Sequence, residues 1–161
     1  MPPLLYAVIP ISGLKRSERR AIAFLVCEGD PEVDAKAVFD ELSDKRKQEL
    51  MTRFDYWIDG KTQDDYFHGF PNEPDNKEVF TFKWKEKRVR QRFYGFLFRP
   101  KQKTNPGFQV CVLVSHTPKS QAETDPAHKK LANIMRLKQQ VINAIKAIFP
   151  DVKAGDKSWQ N

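Results

Sequence analysis

The sequence predicts an α+β fold: a small twisted antiparallel sheet with an N-terminal helical hairpin and a C-terminal helix. Three observations predict it. Short apolar runs bounded by turn residues occur at 21–27, 79–85 and 108–116, with the length and composition of strands. Apolar residues recur at helical spacing over 33–58 and again after residue 125. Within 79–85, side chains alternate in the manner of a sheet with one packed face, Phe80, Phe82 and Trp84, and one polar face, Thr81, Lys83 and Lys85.

The chain has 161 residues, 40% hydrophobic and 30% charged, which suits one domain with its own core. Residues 1–19 read as an N-terminal extension, with three prolines and the charged run SGLKRSERR. Residues 20–149 read as a single domain and 150–161 as a flexible tail. The apolar start is too short for a signal peptide. The cluster Lys15, Arg16, Arg19, Arg20 follows it, the reverse of signal order. No apolar run approaches a membrane span. A cytoplasmic protein without membrane contact is expected.

Within the domain, AIAFLVC (21–27) reads as a buried strand ended by Glu28-Gly29-Asp30-Pro31. Val33, Ala37, Val38 and Leu42 mark a first helix. Ser43 and Asp44 offer the N-cap of a second, whose stripe is Leu50, Phe54, Trp57 and Ile58 and whose stop is Gly60. Residues 60–77 read as a loop pinned by Tyr66, Phe67 and Phe70. Strands follow at Val79–Lys85, Val89–Phe98 and Phe108–His116. Asp125 and Pro126 open one final helix, with Leu131, Ile134, Val141, Ile145 and Ile148 as its core stripe. Cys27 and Cys111 stand in separate apolar runs and read as buried free thiols. His68, His116 and His128 lack metal-ligand spacing, so no metal or cofactor is expected.

Charge is distributed unevenly. Residues 1–77 hold 11 Lys/Arg against 15 Asp/Glu, whereas 78–161 hold 17 against 6. Nine bases fall between Lys83 and Lys103, with Glu86 the only acid among them. Such a field attracts a polyanion; its bland alternative is a solvated surface. In FTFKWKEKRVRQRFY (80–94), a hairpin with an even-numbered loop centred on Glu86-Lys87 would set Lys85 against Arg88, Lys83 against Arg90 and Thr81 against Arg92. Trp84 and Phe80 would face Val89 and Phe93 on the packed side. Like charges directly opposite cost a few tenths to about 1 kcal/mol per pair, so a bound polyanion is expected to offset them.

The order of elements resembles the RelE/HigB-type toxin superfamily, particularly its HigB-like, phage-derived branch. FDELSDKRKQELMTRFDYWIDG (39–60) is similar to that branch's helical hairpin. Val79–Lys83 stands at its Leu-Tyr-Glu-Leu-Arg strand, and Arg92 in RQRFYGFLF at the arginine of its Tyr-Arg strand. VLVSHTPKSQAETDPAHKKLA (112–132) resembles its last strand and helix start. Thr81 replaces the usual glutamate, Lys83 the usual arginine, and Lys119-Ser120 the usual paired lysines. The resemblance implies a RelE/ParE-like fold. It also implies a metal-independent endoribonuclease acting on messenger RNA at the ribosome, held by a cognate antitoxin protein, in which the 2′-hydroxyl attacks the adjacent phosphorus.

The candidate catalytic residues are Arg92, clamping phosphate through its fork, and His116 or Lys119, handling a proton. Lys83, Lys85, Lys87, Arg88, Arg90, Arg99, Lys101 and Lys103 are candidate RNA-binding cations. Tyr94 stacks on a base or packs in the core. His128 and Lys129-Lys130 read as solvated. A different class of function is a non-catalytic RNA- or ribosome-binding module. A DNA-binding regulator fits less well, because the helices at 33–58 are acidic overall and show no helix-turn-helix pattern.

Overall fold

The computed structural model describes residues 3–14, 17, 19–118 and 125–150. The expected tail and Lys119 lie outside the described residues, apart from Pro150. In chain order the elements are β1 (Ala7–Pro10), β2 (Arg20–Val26), α1 (Ala35–Glu41), α2 (Asp44–Ile58), β3 (Phe67–Gly69), β4 (Val79–Glu86), β5 (Val89–Phe98), β6 (Gln109–Pro118), α3 (Asp125–Leu137) and α4 (Gln139–Ile148), with a 3-10 turn at Pro74–Asn76. No helix among the described residues is long and apolar enough to cross a membrane.

The class is α+β, but the expected small antiparallel sheet with one hairpin and one C-terminal helix does not form. The sheet has six strands in the order β1-β2-β6-β5-β4-β3, and it is mixed. Strand β2 runs parallel to β6, with Arg20–Phe24 beside Gln109–Leu113. The remaining pairs are antiparallel. Both parallel strands are continuous apolar runs buried on both faces, as their pairing and central position require. Two strands were invisible to pattern reading because each is too short to show a period. β1 lies within the stretch read as an extension and pairs antiparallel with β2. β3 lies within the loop read at 60–77, where Phe67 packs against Phe80 and Phe82.

Helices cover both faces. α1 and α2 pack their apolar side chains with Phe24, Phe80, Phe82, Trp84, Phe93 and Leu113. α3 and α4 pack with Tyr94, Phe96, Val110, Val112 and Val114 on the opposite face. The Ser43 hydroxyl caps α2 by accepting from the Arg46 N–H at 3.3 Å, and Gly60 follows that helix at φ 83°. The single C-terminal helix expected from the stripe Leu131–Ile148 is two helices. Lys138 leaves helical backbone at ψ 123° and becomes the N-cap position of α4. The apolar stripe continues across this break because both helices lie on one core, so spacing alone conceals it.

Candidate nucleic-acid interface

The β4–β5 hairpin supplies the most strongly charged surface. Its register sets Lys83 against Arg92 and Lys85 against Arg90, with Glu86 against Val89. The turn is therefore Lys87-Arg88, one residue later than the centre expected from sequence. Pairing sums move by two and the faces are unchanged. Lys83, Lys85, Arg90 and Arg92 share one side, while Trp84, Gln91 and Phe93 share the other. Lys87 and Arg88 adopt φ of 46° and 73°, the left-handed pair that a two-residue I′ turn needs and that Asn-Gly supplies without strain. Lys85, Lys87, Arg88 and Arg90 are exposed. Lys83 is half-buried and its ammonium donates to the Asp64 carbonyl.

A groove of about 420 Å³ runs along the hairpin edge, lined by Arg53, Tyr66, Lys83, Lys85, Arg90 and Arg92 with Glu49 and Asp65, and by Trp84 and Gln91 of the other side. Sequence reading missed Arg53. It projects from α2, pairs with Glu49 at 2.9 Å, donates to the Lys83 carbonyl and lies 4.3 Å above the Tyr66 ring. No linear pattern joins a helix arginine to a hairpin strand whose contacted residue lies 30 positions further along the chain; only tertiary packing does.

The nine-base run does not form one patch. Arg99, Lys101 and Lys103 are exposed beyond the far end of β5. At 3.4 Å per residue, Arg99 lies roughly 30 Å along the strand from Arg90. Arg99 also pairs with Glu78 at 2.9 Å. Tyr94 is fully buried and offers no free ring face to a base. Its ring lies between Phe70 and His128, at centroid distances of 6.4 and 5.3 Å.

Arg92 lines the groove and is largely buried. Its Nη1 donates to the Tyr94 hydroxyl at 3.3 Å and lies 4.0 Å from Asp125. Its Nε is buried without a hydrogen-bond partner. A guanidinium has five N–H donors, so this one is under-satisfied among the described residues. The Tyr94 hydroxyl donates onward to Asp125 at 2.6 Å, and that bond together with burial raises the Tyr94 pKa.

A bulge in β6 decides which histidine shares this side of the sheet. Tyr94 pairs with Ser115 and Gly95 with Leu113, leaving Val114 as the extra residue. Unbroken alternation from Leu113 would point Ser115 toward α2 and His116 toward α3. The bulge reverses both. His116 instead packs against Trp84 and Phe93, on the face opposite Arg92, and its Nε2 meets Gln91 Oε1 at 2.6 Å. The residue beside Tyr94 is His128, expected to be solvated but half-buried: its ring stacks on Tyr94 and its Nδ1 meets the Ser115 hydroxyl at 2.7 Å. Burial lowers the His128 pKa, against the opposing pull of Asp34, Asp125 and Glu32. Asp34 is the N-cap residue of α1. It accepts the His116 backbone N–H at 2.9 Å, and its own burial raises its pKa. His128, which the sequence reading left as solvated, thus shares a side of the sheet with Arg92, whereas His116 does not.

The chain matches no family model, no curated protein and no solved structure.

Proposed function

We propose that this protein binds RNA along the cationic side of the β4–β5 hairpin and cuts it by attack of a ribose 2′-hydroxyl on the adjacent phosphorus. The observation that carries the binding reading is the register that puts Lys83 against Arg92 and Lys85 against Arg90. Unlike Arg92, which has Asp125 nearby, Lys85 and Arg90 are exposed and face each other in the ladder, while Glu49 and Asp65 line the same groove. Like charges directly opposite are destabilising, and a phosphate chain offsets that cost. Successive cations on one strand recur about every 7 Å, which suits a polymer carrying one charge per monomer. Contacts of this kind bind backbone and carry little base specificity.

Cleavage is supported by Arg92. A guanidinium that lines the groove and whose buried Nε has no partner among the described residues suits the extra negative charge that builds on phosphorus-bound oxygens in the transition state. Side chains rather than a metal ion then supply the positive charge. The segments resembling RelE/HigB-type toxins support messenger RNA at the ribosome as the substrate and an antitoxin as the partner. A non-catalytic RNA-binding module shares the hairpin but not the chemistry.

The test is single-turnover cleavage of RNA in EDTA, with ribosomes present and their integrity controlled. Arg92→Ala is expected to lower the cleavage rate about 100- to 1,000-fold while RNA affinity falls much less, the sign of an interaction made mainly in the transition state. Wild-type protein that binds RNA tightly yet leaves it intact returns the protein to the non-catalytic reading.

A further inference from the structure

Of the two expected proton carriers, only His116 falls among the described residues. His116 points to the other face, and Lys119 lies outside the described residues. We infer that His128 is the catalytic base of the cleavage reaction, taking the proton of the attacking 2′-hydroxyl on its Nε2 while Ser115 fixes its ring. This inference rests on the cleavage reading above and assigns a residue that it lacks.

Four observations converge on it. Both Arg92 and His128 touch Tyr94, one at the hydroxyl and one on the ring face, which sets them on the same side of the sheet. The Ser115 hydroxyl is buried and holds Nδ1 at 2.7 Å. Nε2 makes no hydrogen bond among the described residues and is the nitrogen left to meet substrate. The β6 bulge, which turns Ser115 to this side, interrupts a strand otherwise paired without irregularity to β5. Bulges are over-represented where a sheet re-aims a side chain at a site.

The groups around the ring act on its basicity in a definite way. Asp125 on its own helix, Asp34 at the start of α1 and Glu32 in the preceding loop favour the cation; burial opposes them. His116 from the adjacent strand is coupled to His128, and burial lowers its pKa too. Burial is the largest of these effects, so the imidazole stays neutral to a lower pH than a free one and is ready to accept a proton at neutrality. In the reaction the 2′-oxygen gives its proton to Nε2 and forms a bond to phosphorus. The P–O5′ bond breaks, and the departing 5′-oxygen takes a proton from solvent. The products are a 2′,3′-cyclic phosphate and a 5′-hydroxyl end. Protonated His128 then returns its proton to water.

The experiment is the pH dependence of single-turnover RNA cleavage by the full chain, for wild type, His128→Gln and His116→Gln. Wild type is expected to lose activity toward acid with a midpoint below 6.5. His128→Gln is expected to cut at least 100-fold more slowly and to lose that acid limb, with RNA affinity retained. Ring resonances of wild-type His128 are expected to shift on titration with an uncleavable 2′-deoxy oligonucleotide, a readout that survives if the variant folds poorly. His128→Gln that cuts at the wild-type rate, or an acid limb lost in His116→Gln instead, overturns the assignment while leaving RNA cleavage standing. Wild-type protein that binds RNA without cutting it overturns the cleavage reading and this inference together.

Discussion

A β-carbon at Gly95 would stand 2.1 Å from the Val112 carbonyl oxygen, closer than any side chain tolerates. The contact exists because β5 and β6 close together where Val114 bulges out of the pairing. One missing side chain thus sets the face of Ser115 and, through it, the ring of His128. Gly95→Ala is expected to destabilise the fold by about 3 kcal/mol, because the clash is with backbone and cannot be relieved by a rotamer change. Urea unfolding checks it; an unchanged midpoint would mean that the strands can separate locally at no cost. An isolated glycine in a strand pattern is itself a sign of a bulge or a close approach, and Gly95 was the one such sign available in the sequence. Without weighting it, strict alternation assigns His116 to the wrong side. Arg92 was singled out through the resemblance of RQRFYGFLF to a toxin strand, since it follows Arg90 and Gln91 in β5 and alternation alone does not distinguish it from them. His128 was not, since the first turn of a lysine-bearing helix looks like solvent-facing surface until the tertiary fold lays it on Tyr94.

The hairpin formed by β4 and β5 accepts a poor turn. Lys87 and Arg88 both hold left-handed backbone, where a side chain costs roughly 1–2 kcal/mol per residue relative to glycine's freedom. The same two residues place cations at the tip. Replacing them together, Lys87→Asn with Arg88→Gly, is expected to raise stability by about 1 kcal/mol and to weaken RNA binding several-fold. Thermal unfolding and a binding titration check the two halves. A more stable variant with unaltered affinity would mean that the tip does not touch the ligand. With no glycine or asparagine to mark it, the turn could be located only to within a residue, yet the faces survived because any even loop preserves them. At this scale the long segments were readable: α1, α2 and the three strands β4 to β6 follow from periodicity, caps and alternation. The break at Lys138 and the three-residue β3 were not, because a helix junction on a shared core keeps the stripe, and three residues carry no period.

Across the whole molecule, a mixed six-stranded sheet separates two apolar cores and leaves the end of the β4–β5 hairpin as a cationic edge. The parallel β2–β6 pair was beyond local reading. Both strands are apolar on both faces, and nothing in either run states which neighbour or which direction it takes. The resemblance to toxins led to a smaller, antiparallel sheet, whereas β1 and β3 extend both edges here. The fold also divides the basic run, so that total charge overstates the interface: Arg99, Lys101 and Lys103 stand beyond the other end of β5. The proposed RNA contact therefore rests on the hairpin's own cations and not on the sum. The most direct measurement is RNA affinity against salt concentration for wild type, Lys85→Ala with Arg90→Ala, and Lys101→Ala with Lys103→Ala. Each phosphate neutralised on a single strand contributes about −0.7 to the log–log slope. The account predicts that removing Lys85 and Arg90 flattens the slope by about 1.4, two such contacts, whereas removing Lys101 and Lys103 leaves it close to wild type. Equal flattening by both double substitutions, or a wild-type affinity that does not change with salt, would contradict it.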